Sequence, residues 1–335
     1  MKKYELIVGI DISKLKLDAT LLWVSDVKKT KHLVVTNDKK GISKLFKEIE
    51  KTGVVLENVL VNFEDTGVYS LPLCCFFSEI KQDYWMIPAI EIKRSKGISR
   101  GKTDKSDSSD IAFYGLTHLH KLRLSVLPEK DLMKLRLLFT EREKLMKALR
   151  LLDSTKEGNN YIPKEIMKEV LKFNAQIIKN LRSTVLKIEK KMELILNENE
   201  ILKKQNELIQ SVPGVGPLTS IYLILVTKGF QSFENARQLA CYAGVAPFEY
   251  SSGSSIRGRT KVSNLADKKL KSLLNLCALN AKKHDVELKH YFERKVAEGK
   301  SKMLVLNNIR CKLLGRIFAT VQRGTPYVNT QKFAA

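Results

Sequence analysis

Three aspartates stand three residues apart in the stretch GKTDKSDSSD, residues 101–110, within a strongly basic part of the chain. In a helix, residues at i and i+3 share one face, where like charges repel each other unless a cation neutralises them. A helix start explains part of the pattern, because Thr103 or Asp104 can cap a first turn whose dipole favours acidic residues. The alternative is a shared cation site, which needs further carboxylates at the same place.

Two further carboxylates end predicted strands. Asp11 follows the apolar run that contains Val8 and Ile10, and Glu64 ends a later run just before Thr66. Either residue alone is consistent with a strand-end carboxylate that opens a turn. Together with the aspartates of the 101–110 stretch they form a set that a sheet can bring to one edge, if the first and fourth strands are neighbours. The set is Asp11, Glu64, Asp104 and Asp107.

Four carboxylates at one sheet edge predict a metal site. Their mutual repulsion is relieved when divalent cations bind between them. Two such ions about 4 Å apart can clamp the attacking and leaving oxygens of a phosphodiester. Oxygen-only ligation favours Mg²⁺ or Mn²⁺.

The elements that must position this set lie in the first 125 residues. Three strand-like runs come first, and helices then alternate with strands, which is the order of an α/β, RNase H-like fold. The predicted strands are 4–11, 17–24, 31–36, 58–65 and 83–88, and the predicted helices are 41–51 and 71–80.

The charge of the chain indicates a polyanionic partner. Its 335 residues carry 59 Lys+Arg against 36 Asp+Glu, a formal net charge of +23 spread along the chain, which favours nucleic acid. No apolar run approaches the roughly 20 residues of a membrane-spanning helix. Glu5 and Asp11 follow the basic start too closely for a signal peptide, so we expect a cytoplasmic protein.

A leucine-, lysine- and glutamate-rich segment at 126–208 predicts a long helical connector. Apolar residues step by three and four along it, as in a coiled coil, and Asn199 falls on the same seam, where a polar residue can fix register. The seam predicts either self-association or an antiparallel hairpin with residues 131–155 of the same chain. Its apolar members are Ile178, Leu181, Val185, Ile188, Met192, Ile195, Leu202 and Ile209.

The last third is predicted to be mainly helical. SVPGVGPLTS, residues 211–220, has the form of a helix-hairpin-helix, in which backbone N–H groups around Gly214 and Gly216 can hold a phosphate. An ordinary tight turn between helices is the alternative. The helical run 236–253 is predicted to break at Gly244 and Pro247. A polar loop then follows, which is a phosphate-binding turn or a flexible linker by composition and carries the basic residues Arg257, Arg259 and Lys261.

The acidic motifs resemble those of a known family. IVGIDISK, FEDTGVY and KTDKSDSSDIA are similar to the three acidic motifs of the DEDD transposases of the insertion-sequence one-ten group, whose relatives include site-specific DNA invertases. The resemblance implies a RuvC-like catalytic domain and metal ligation by the four carboxylates named above. The family usually has alanine where this chain has Ser108, and Asp110 has no counterpart in the quartet. Lys102 and Lys105 flank the motif and are expected to contact nucleic acid.

The C-terminal motifs resemble the second domain of the same family. PGVGPLTS, LACYAGVAP and SSGSSIRGR are similar to a transposase domain whose nucleophilic serine immediately precedes a glycine. By position that serine is Ser252, followed by Gly253, and Ser251 is the alternative. The resemblance thus implies a catalytic set of Asp11, Glu64, Asp104, Asp107 and Ser252.

The family implies a transposase or recombinase that cuts and rejoins donor and target DNA through a phosphoserine. It also implies a composite site made by two protomers, hence a dimer or a tetramer on DNA, and a structured non-coding guide RNA. A RuvC- or RNase H-type structure-specific nuclease that hydrolyses DNA is the alternative, and a nonenzymatic nucleic-acid-binding protein is another. The expected domains are 1–125 (catalytic), 126–208 (connector), 209–325 (serine-bearing) and 326–335 (tail).

Overall fold

The computed structural model describes residues 2–95, 103–154, 162–252, 256–262 and 265–329. The chain divides into two compact units, Met1–Leu127 and Pro128–Ala335. The finer division of the second unit into connector, serine-bearing domain and tail stays a prediction. Within the described part of the chain, no helix combines the length and the apolar character needed to cross a membrane.

The first unit is a mixed α/β unit, as predicted. In chain order its elements are β1 (Leu6–Ile12), β2 (Lys16–Trp23), β3 (Asp26–Thr36), α1 (Lys39–Glu50), β4 (Val59–Glu64), α2 (Leu71–Glu79), β5 (Tyr84–Ile87), α3 (Ala89–Ser95) and α4 (Asp104–Thr117).

The five strands form one sheet in the order β3-β2-β1-β4-β5. The first three strands pair antiparallel, whereas β4 runs parallel to β1 and β5 parallel to β4. Gly9 in the central strand β1 lies between Thr20 of β2 and Asn62 of β4. The predicted neighbouring positions of the first and fourth strands are confirmed, and the strand order is consistent with an RNase H-like fold.

Both faces of the central strands are buried, so β1 and β4 are almost continuously apolar. Val8 and Phe63 belong to the core on one face, where Leu45 of α1 and Phe77 of α2 cover the sheet. The other face has a smaller core that Ile7 shares with residues of α4. Since side chains alternate along a strand, Ile7, Gly9 and Asp11 all belong to the face that α4 covers.

Helix α4 lies directly against β1 at Gly9. A Cβ atom at this position would stand 2.3 Å from both the backbone nitrogen of Ala112 and the carbonyl oxygen of Ser108. Only glycine permits this approach, because any side chain would have to push the helix backbone away. The close contact fixes the first turns of α4 near the end of β1.

The second unit is mainly helical, as predicted. Its elements are α5 (Lys130–Ser154), α6 (Lys164–Glu198), α7 (Glu200–Gln210), α8 (Pro217–Thr227), α9 (Ala236–Tyr242), β6 (Pro247–Ser252), β7 (Ile256–Val262), α10 (Lys268–His284), α11 (Val286–Ala297) and α12 (Lys302–Arg323). One large core joins α7, α8, α10 and α12. Tyr327, beyond α12, packs under the Arg316 guanidinium and donates its backbone N–H to Ser211.

The predicted continuous seam from Ile178 to Ile209 is wrong at Asn199. The helix ends at Glu198, and Asn199 is extended, with a side chain that accepts the backbone N–H of Leu202 and so caps α7. Asparagine is a strong N-cap residue because its side chain competes for backbone donors, so here it starts a new helix instead of fixing a coiled-coil register.

The predicted apolar seam is buried within its own chain. Helices α5 and α6 run antiparallel, since Arg142 pairs with Glu189 and Asp153 with Arg182. Leu149 packs with Ile178 and Val185 of the seam, while Met192 and Ile195 join the large core. The antiparallel hairpin within one chain, the alternative to self-association through this seam, is therefore what the structure shows.

The serine-rich segment is not a loop throughout. The helix α9 ends at Tyr242, in agreement with the predicted break at Gly244 and Pro247, but residues 247–252 and 256–262 are strands β6 and β7, paired antiparallel, so the predicted polar loop is wrong. Residues with high β propensity recur at alternate positions in these strands, which favours the hairpin. They are Phe248, Tyr250, Ile256, Thr260 and Val262.

Candidate active site

The two strand-end carboxylates of the first unit lie at the same edge of the sheet. Asp11 is the last residue but one of β1, and Glu64 is the last residue of β4. Because β1 and β4 are adjacent and parallel, their carboxyl ends meet at this edge. Both residues are half-buried.

The start of α4 contributes two more carboxylates. Thr103 caps the helix by accepting the N–H of Ser106 at 3.1 Å, and the Ser106 hydroxyl caps Thr103 in return. Asp104 and Asp107 lie in this capped first turn, which confirms the predicted helix start. Asp110 is half-buried in the next turn.

Asp11 lies within the electrostatic influence of several of these carboxylates. Burial raises the pKa of Asp11 above its usual value, and the negative charges of neighbouring carboxylates raise it further. In order of decreasing effect the neighbours are Asp107, Asp104, Asp18 and Glu64. The helix start and the cation-site interpretations of the acidic stretch are therefore compatible, since the capped turn is also close to Asp11.

Asp18 is a fifth carboxylate that the sequence analysis missed. It lies directly opposite Asp11 in the antiparallel β1–β2 pair, and only 4% of its surface is exposed. Residues opposite each other in such a pair project from the same face of the sheet. The sequence indicates a short turn around Ser13–Leu15, but the register that pairs residue 11 with residue 18 comes from the structure.

Two basic side chains contact this fifth carboxylate. Lys16 Nζ lies 3.1 Å from Asp18 Oδ2 and 2.6 Å from Asp104 Oδ2, so it bridges the hairpin and the first turn of α4. Both hydrogen bonds raise the pKa of Lys16, and the bond to Asp104 has the larger effect. On the other side, His32 Nε2 of β3 lies 3.2 Å from Asp18 Oδ1.

Ser108, the departure from the family's usual alanine, has a structural explanation. It is fully buried on the side of α4 that faces the sheet, and its hydroxyl lies 2.7 Å from the Thr20 hydroxyl of β2. It also donates to the carbonyl oxygen of Lys105. A serine here satisfies the buried Thr20 hydroxyl, which alanine would leave without this partner.

The predicted phosphate-binding glycines differ in their surroundings. Gly214 has φ +88°, and a Cβ there would stand 2.7 Å from Ala281 and from the Cys277 carbonyl, so its backbone packs tightly on α10. Gly216 is the N-cap of α8 and has open space around its Cα. The packing of Gly214 agrees with the tight-turn alternative, whereas Gly216 is open on the side where a Cβ atom would stand.

The serine and basic residues of the second unit lie on the β6–β7 hairpin. Ser252 is the last residue of β6 and pairs with Ile256, while Ser251 pairs with Arg257. Arg259 and Lys261 also belong to β7. In the first unit Lys105 is exposed in the first turn of α4, and Lys102 lies outside the described residues.

The acidic cluster fits a hard divalent cation. Every acidic donor in it is a carboxylate oxygen, the ligand type that Mg²⁺ prefers, and the neighbouring negative charges add to the effect of burial in raising the pKa of Asp11. No group of three or more His, Cys, Asp or Glu side chains among the described residues is already arranged to hold a metal ion. Asp104 instead contacts Lys16.

Two transposase family models match the chain, one from the first unit into α5 and one within the second unit. A model described as a transposase, of the DEDD IS110 type, matches residues 8–154. A model described as the IS116/IS110/IS902 transposase family matches residues 206–293. The first match includes the four carboxylates, and the second includes the serine hairpin.

Curated relatives match over most of the chain. Pilin gene-inverting proteins of Moraxella lacunata and Moraxella bovis are each 25% identical, over 96% of this chain and 97% of their own length. An uncharacterized 43.6 kDa protein of insertion element IS110 from Streptomyces coelicolor is 33% identical over 36% of this chain and 29% of its own length.

Proposed function

We infer that this chain belongs to the IS116/IS110/IS902 family of transposases, and we propose that it cuts and rejoins DNA through a covalent phosphoserine intermediate. The observation that carries the proposal is the position of Asp11 and Glu64 at the carboxyl ends of two adjacent parallel strands, against which helix α4, with Asp104 and Asp107 in its first turn, packs at Gly9. Transposases and DNA invertases are enzymes of DNA strand exchange, so donor and target DNA are the substrates.

The four carboxylates are proposed to hold the divalent cations that the family implies. Asp11, Glu64, Asp104 and Asp107 would be the ligands, on the carboxyl edge of a sheet that we infer to be RNase H-like and of the RuvC type. When bound, Mg²⁺ or Mn²⁺ supplies positive charge that polarises the scissile phosphodiester. The chain's own part is to bring these carboxylates to one edge of the sheet, which the capped first turn of α4 and the contact of α4 with Gly9 support.

Ser252 is the proposed nucleophile. Its Oγ attacks the phosphorus, the Oγ–P bond forms while one P–O bond to a sugar breaks, and the serine proton passes to the departing sugar oxygen. A sugar hydroxyl of the exchanged strand then attacks the phosphoserine, the Oγ–P bond breaks, and the proton returns to Ser252. This route conserves the phosphodiester bond energy, so rejoining needs no external energy source.

Several basic and backbone groups are proposed to bind the nucleic acid. The residues are Lys102, Lys105, Arg257, Arg259 and Lys261, together with the backbone at Gly214 and Gly216 in a helix-hairpin-helix. The net charge of +23 supports a broad contact with phosphates. We also infer a structured non-coding guide RNA, which the family resemblance implies and the same charge favours.

Self-association is proposed through a second apolar stripe on α6. Ile166, Val170, Phe173 and Ile177 step by four, three and four, the spacing of coiled-coil core positions, and all four are exposed. This stripe differs from the buried seam that packs on α5. A second copy that covers it would let the acidic cluster of one protomer work with Ser252 of another.

A denaturing adduct assay tests the proposed reaction. The intact chain is incubated with Mg²⁺, duplex DNA carrying both element ends, and RNA transcribed from the DNA that flanks the gene. After denaturation, mass spectrometry locates any peptide linked to DNA. We expect a phosphoserine at Ser252 in the wild type, none in Ser252→Ala, and one at wild-type level in Ser251→Ala.

Binding and folding serve as controls, because a single hydroxyl at the end of a strand contributes little to either. Ser252→Ala should melt at the wild-type temperature and bind the same DNA. An adduct that persists in Ser252→Ala and vanishes in Ser251→Ala would move the nucleophile by one residue. Cleavage without an adduct in any variant would instead favour the hydrolytic nuclease.

A further inference from the structure

Lys16 stands at the acidic cluster without being one of the residues that the proposed reaction uses. It begins β2, immediately after the hairpin that follows Asp11, and its ammonium group contacts two carboxylates from different elements. These are Asp18, on its own strand, at 3.1 Å, and Asp104, at the start of α4, at 2.6 Å.

Stability alone is a weak reason for this contact. The side chains of Lys16 and Asp104 are 46% and 51% exposed, and ion pairs this exposed contribute little to folding. The surroundings are more informative, because four neighbouring carboxylates act on Asp11 here and Lys16 contacts two of them, Asp18 and Asp104. A cation at this point lowers the repulsion among them.

We propose that Lys16 is an internal counter-cation of the acidic cluster, and that a divalent cation must displace it from Asp104 in order to bind. The inference rests on the proposed metal site. An oxygen that accepts a 2.6 Å hydrogen bond from an ammonium group is not free to coordinate a metal ion through the same lone pair. An ammonium group a few ångströms from a divalent ion is also repelled by it.

Asp18 has a defined part in this exchange. It is buried and lies beside His32 as well as Lys16, so it keeps an attachment for the Lys16 ammonium after Asp104 is released. Lys16 therefore stays at the cluster as a positioning residue. Its positive charge sets the concentration of divalent cation that is needed to occupy the site.

Cation titration of the intact chain tests the proposal without measuring activity. The melting temperature is recorded against Mg²⁺ concentration, and in parallel against Mn²⁺, for the wild type and for Lys16→Gln. Removing the competing charge should lower the midpoint of cation stabilisation about three- to tenfold, as expected for one charge near a divalent ion in a screened, exposed site. The metal-free form of Lys16→Gln should melt below the wild type.

Two control variants separate a local exchange from a general charge effect. Lys14→Gln removes the same charge from an exposed position in the same hairpin turn, and its midpoint should stay within about twofold of the wild type. Lys16→Arg keeps the charge and should restore a midpoint at or above the wild-type value, because guanidinium groups bind carboxylates well.

The outcomes distinguish this inference from the proposed function. An unchanged or higher midpoint in Lys16→Gln, with a normal wild-type response, overturns the role of Lys16 and leaves the metal site standing. Equal decreases in Lys14→Gln and Lys16→Gln also overturn it, since the effect would then be general. A wild type that shows no response to either cation overturns both the metal site and the exchange.

Discussion

Asp11 and Asp18 lie directly opposite each other across the antiparallel pair of β1 and β2. Two carboxylates on the same face of neighbouring strands are destabilising unless a cation or a proton intervenes. Lys16 and His32 lie beside Asp18, whereas the burial of Asp11 and the four acidic groups near it raise its pKa. The cost of gathering these charges therefore falls mainly on Asp11.

The first prediction concerns Asp11→Asn in the absence of metal. A carboxyl group whose pKa is raised in the folded state destabilises the fold when it is ionised. The substitution removes that charge, so we expect a higher melting temperature than the wild type in EDTA. Because the same residue is a proposed ligand, Mg²⁺ should then stabilise the variant less than the wild type.

Two further variants sharpen this comparison. Glu57→Gln removes a charge from an exposed position outside the cluster and should leave both measurements unchanged. Asp104→Asn should reduce the stabilisation by Mg²⁺. Unlike Asp11→Asn, it should not raise the melting temperature in EDTA, because it also loses the ion pair with Lys16. If Asp11→Asn melts lower than the wild type in EDTA, the convergence of charges on Asp11 is wrong.

Sequence patterns predict the elements that carry most of the candidate site, because the responsible signals are local. Continuous apolar runs, which are typical of strands buried on both faces, identify β1 and β4. The ends of these runs identify Asp11 and Glu64. The role of Asp18 depends instead on hairpin register, which places it opposite Asp11 and which the local pattern does not specify. The contact of Lys16 with Asp104 joins residues 88 positions apart and follows only from the packing of α4.

The second unit shows where periodicity misleads. Apolar residues three and four apart continue past Asn199, yet the side chain of this residue caps a new helix there. The same periodicity predicts that a helix packs against the seam, but it does not identify that helix. In the structure the buried seam packs against α5 of the same chain. Serines and glycines favour a loop at 251–264, whereas the cross-strand pairing of β6 and β7 is a longer-range property.

The second prediction concerns Gly9→Ala. The new methyl group would lie 2.3 Å from backbone atoms of α4, which a side-chain rotation cannot relieve. We expect the free energy of unfolding of the first unit to fall by at least about 2 kcal/mol, because overpacking a rigid core is destabilising. Urea unfolding followed by circular dichroism measures it, and Mg²⁺ stabilisation should weaken in parallel because α4 carries Asp104 and Asp107.

A glycine in an open position provides the control. Gly315 lies inside α12, and a Cβ atom added there would have no neighbouring atom within 4 Å. Gly315→Ala should therefore be neutral or stabilise the protein by up to about 1 kcal/mol. Wild-type stability in Gly9→Ala would mean that α4 does not lie on β1 as described.

The third prediction is a pH dependence at Glu48 of α1. Hydrogen bonds from Lys31 and then Lys51 lower the pKa of Glu48 to about 2. A carboxyl whose pKa is lower in the folded state stabilises the fold above its unfolded pKa, near 4.5, and this contribution disappears as the pH falls through about 2. Glu48→Gln should therefore melt below the wild type at pH 6.

The difference between Glu48→Gln and wild type should shrink as the pH is lowered from 5 to 2. Differential scanning calorimetry at several pH values, at constant low ionic strength, measures it. Glu50→Gln, two residues away on the exposed side of α1, is the matched control and should show no such convergence. A difference that stays constant over this range would show that the two lysine contacts do not form in solution.

The last prediction concerns the exposed stripe on α6. Phe173 is 69% exposed in one chain, between Val170 and Ile177 at coiled-coil spacing, and a second copy packed on the stripe would bury it. Phe173→Glu places a charge in that apolar contact and should weaken self-association at least tenfold, since burying an unpaired carboxylate is costly. Lys168→Gln changes the net charge by the same amount on the opposite side of the helix, so it should associate like the wild type. Sedimentation equilibrium of the intact chain, free of nucleic acid, measures both variants, and equal association of Phe173→Glu and wild type would place the protomer contact elsewhere.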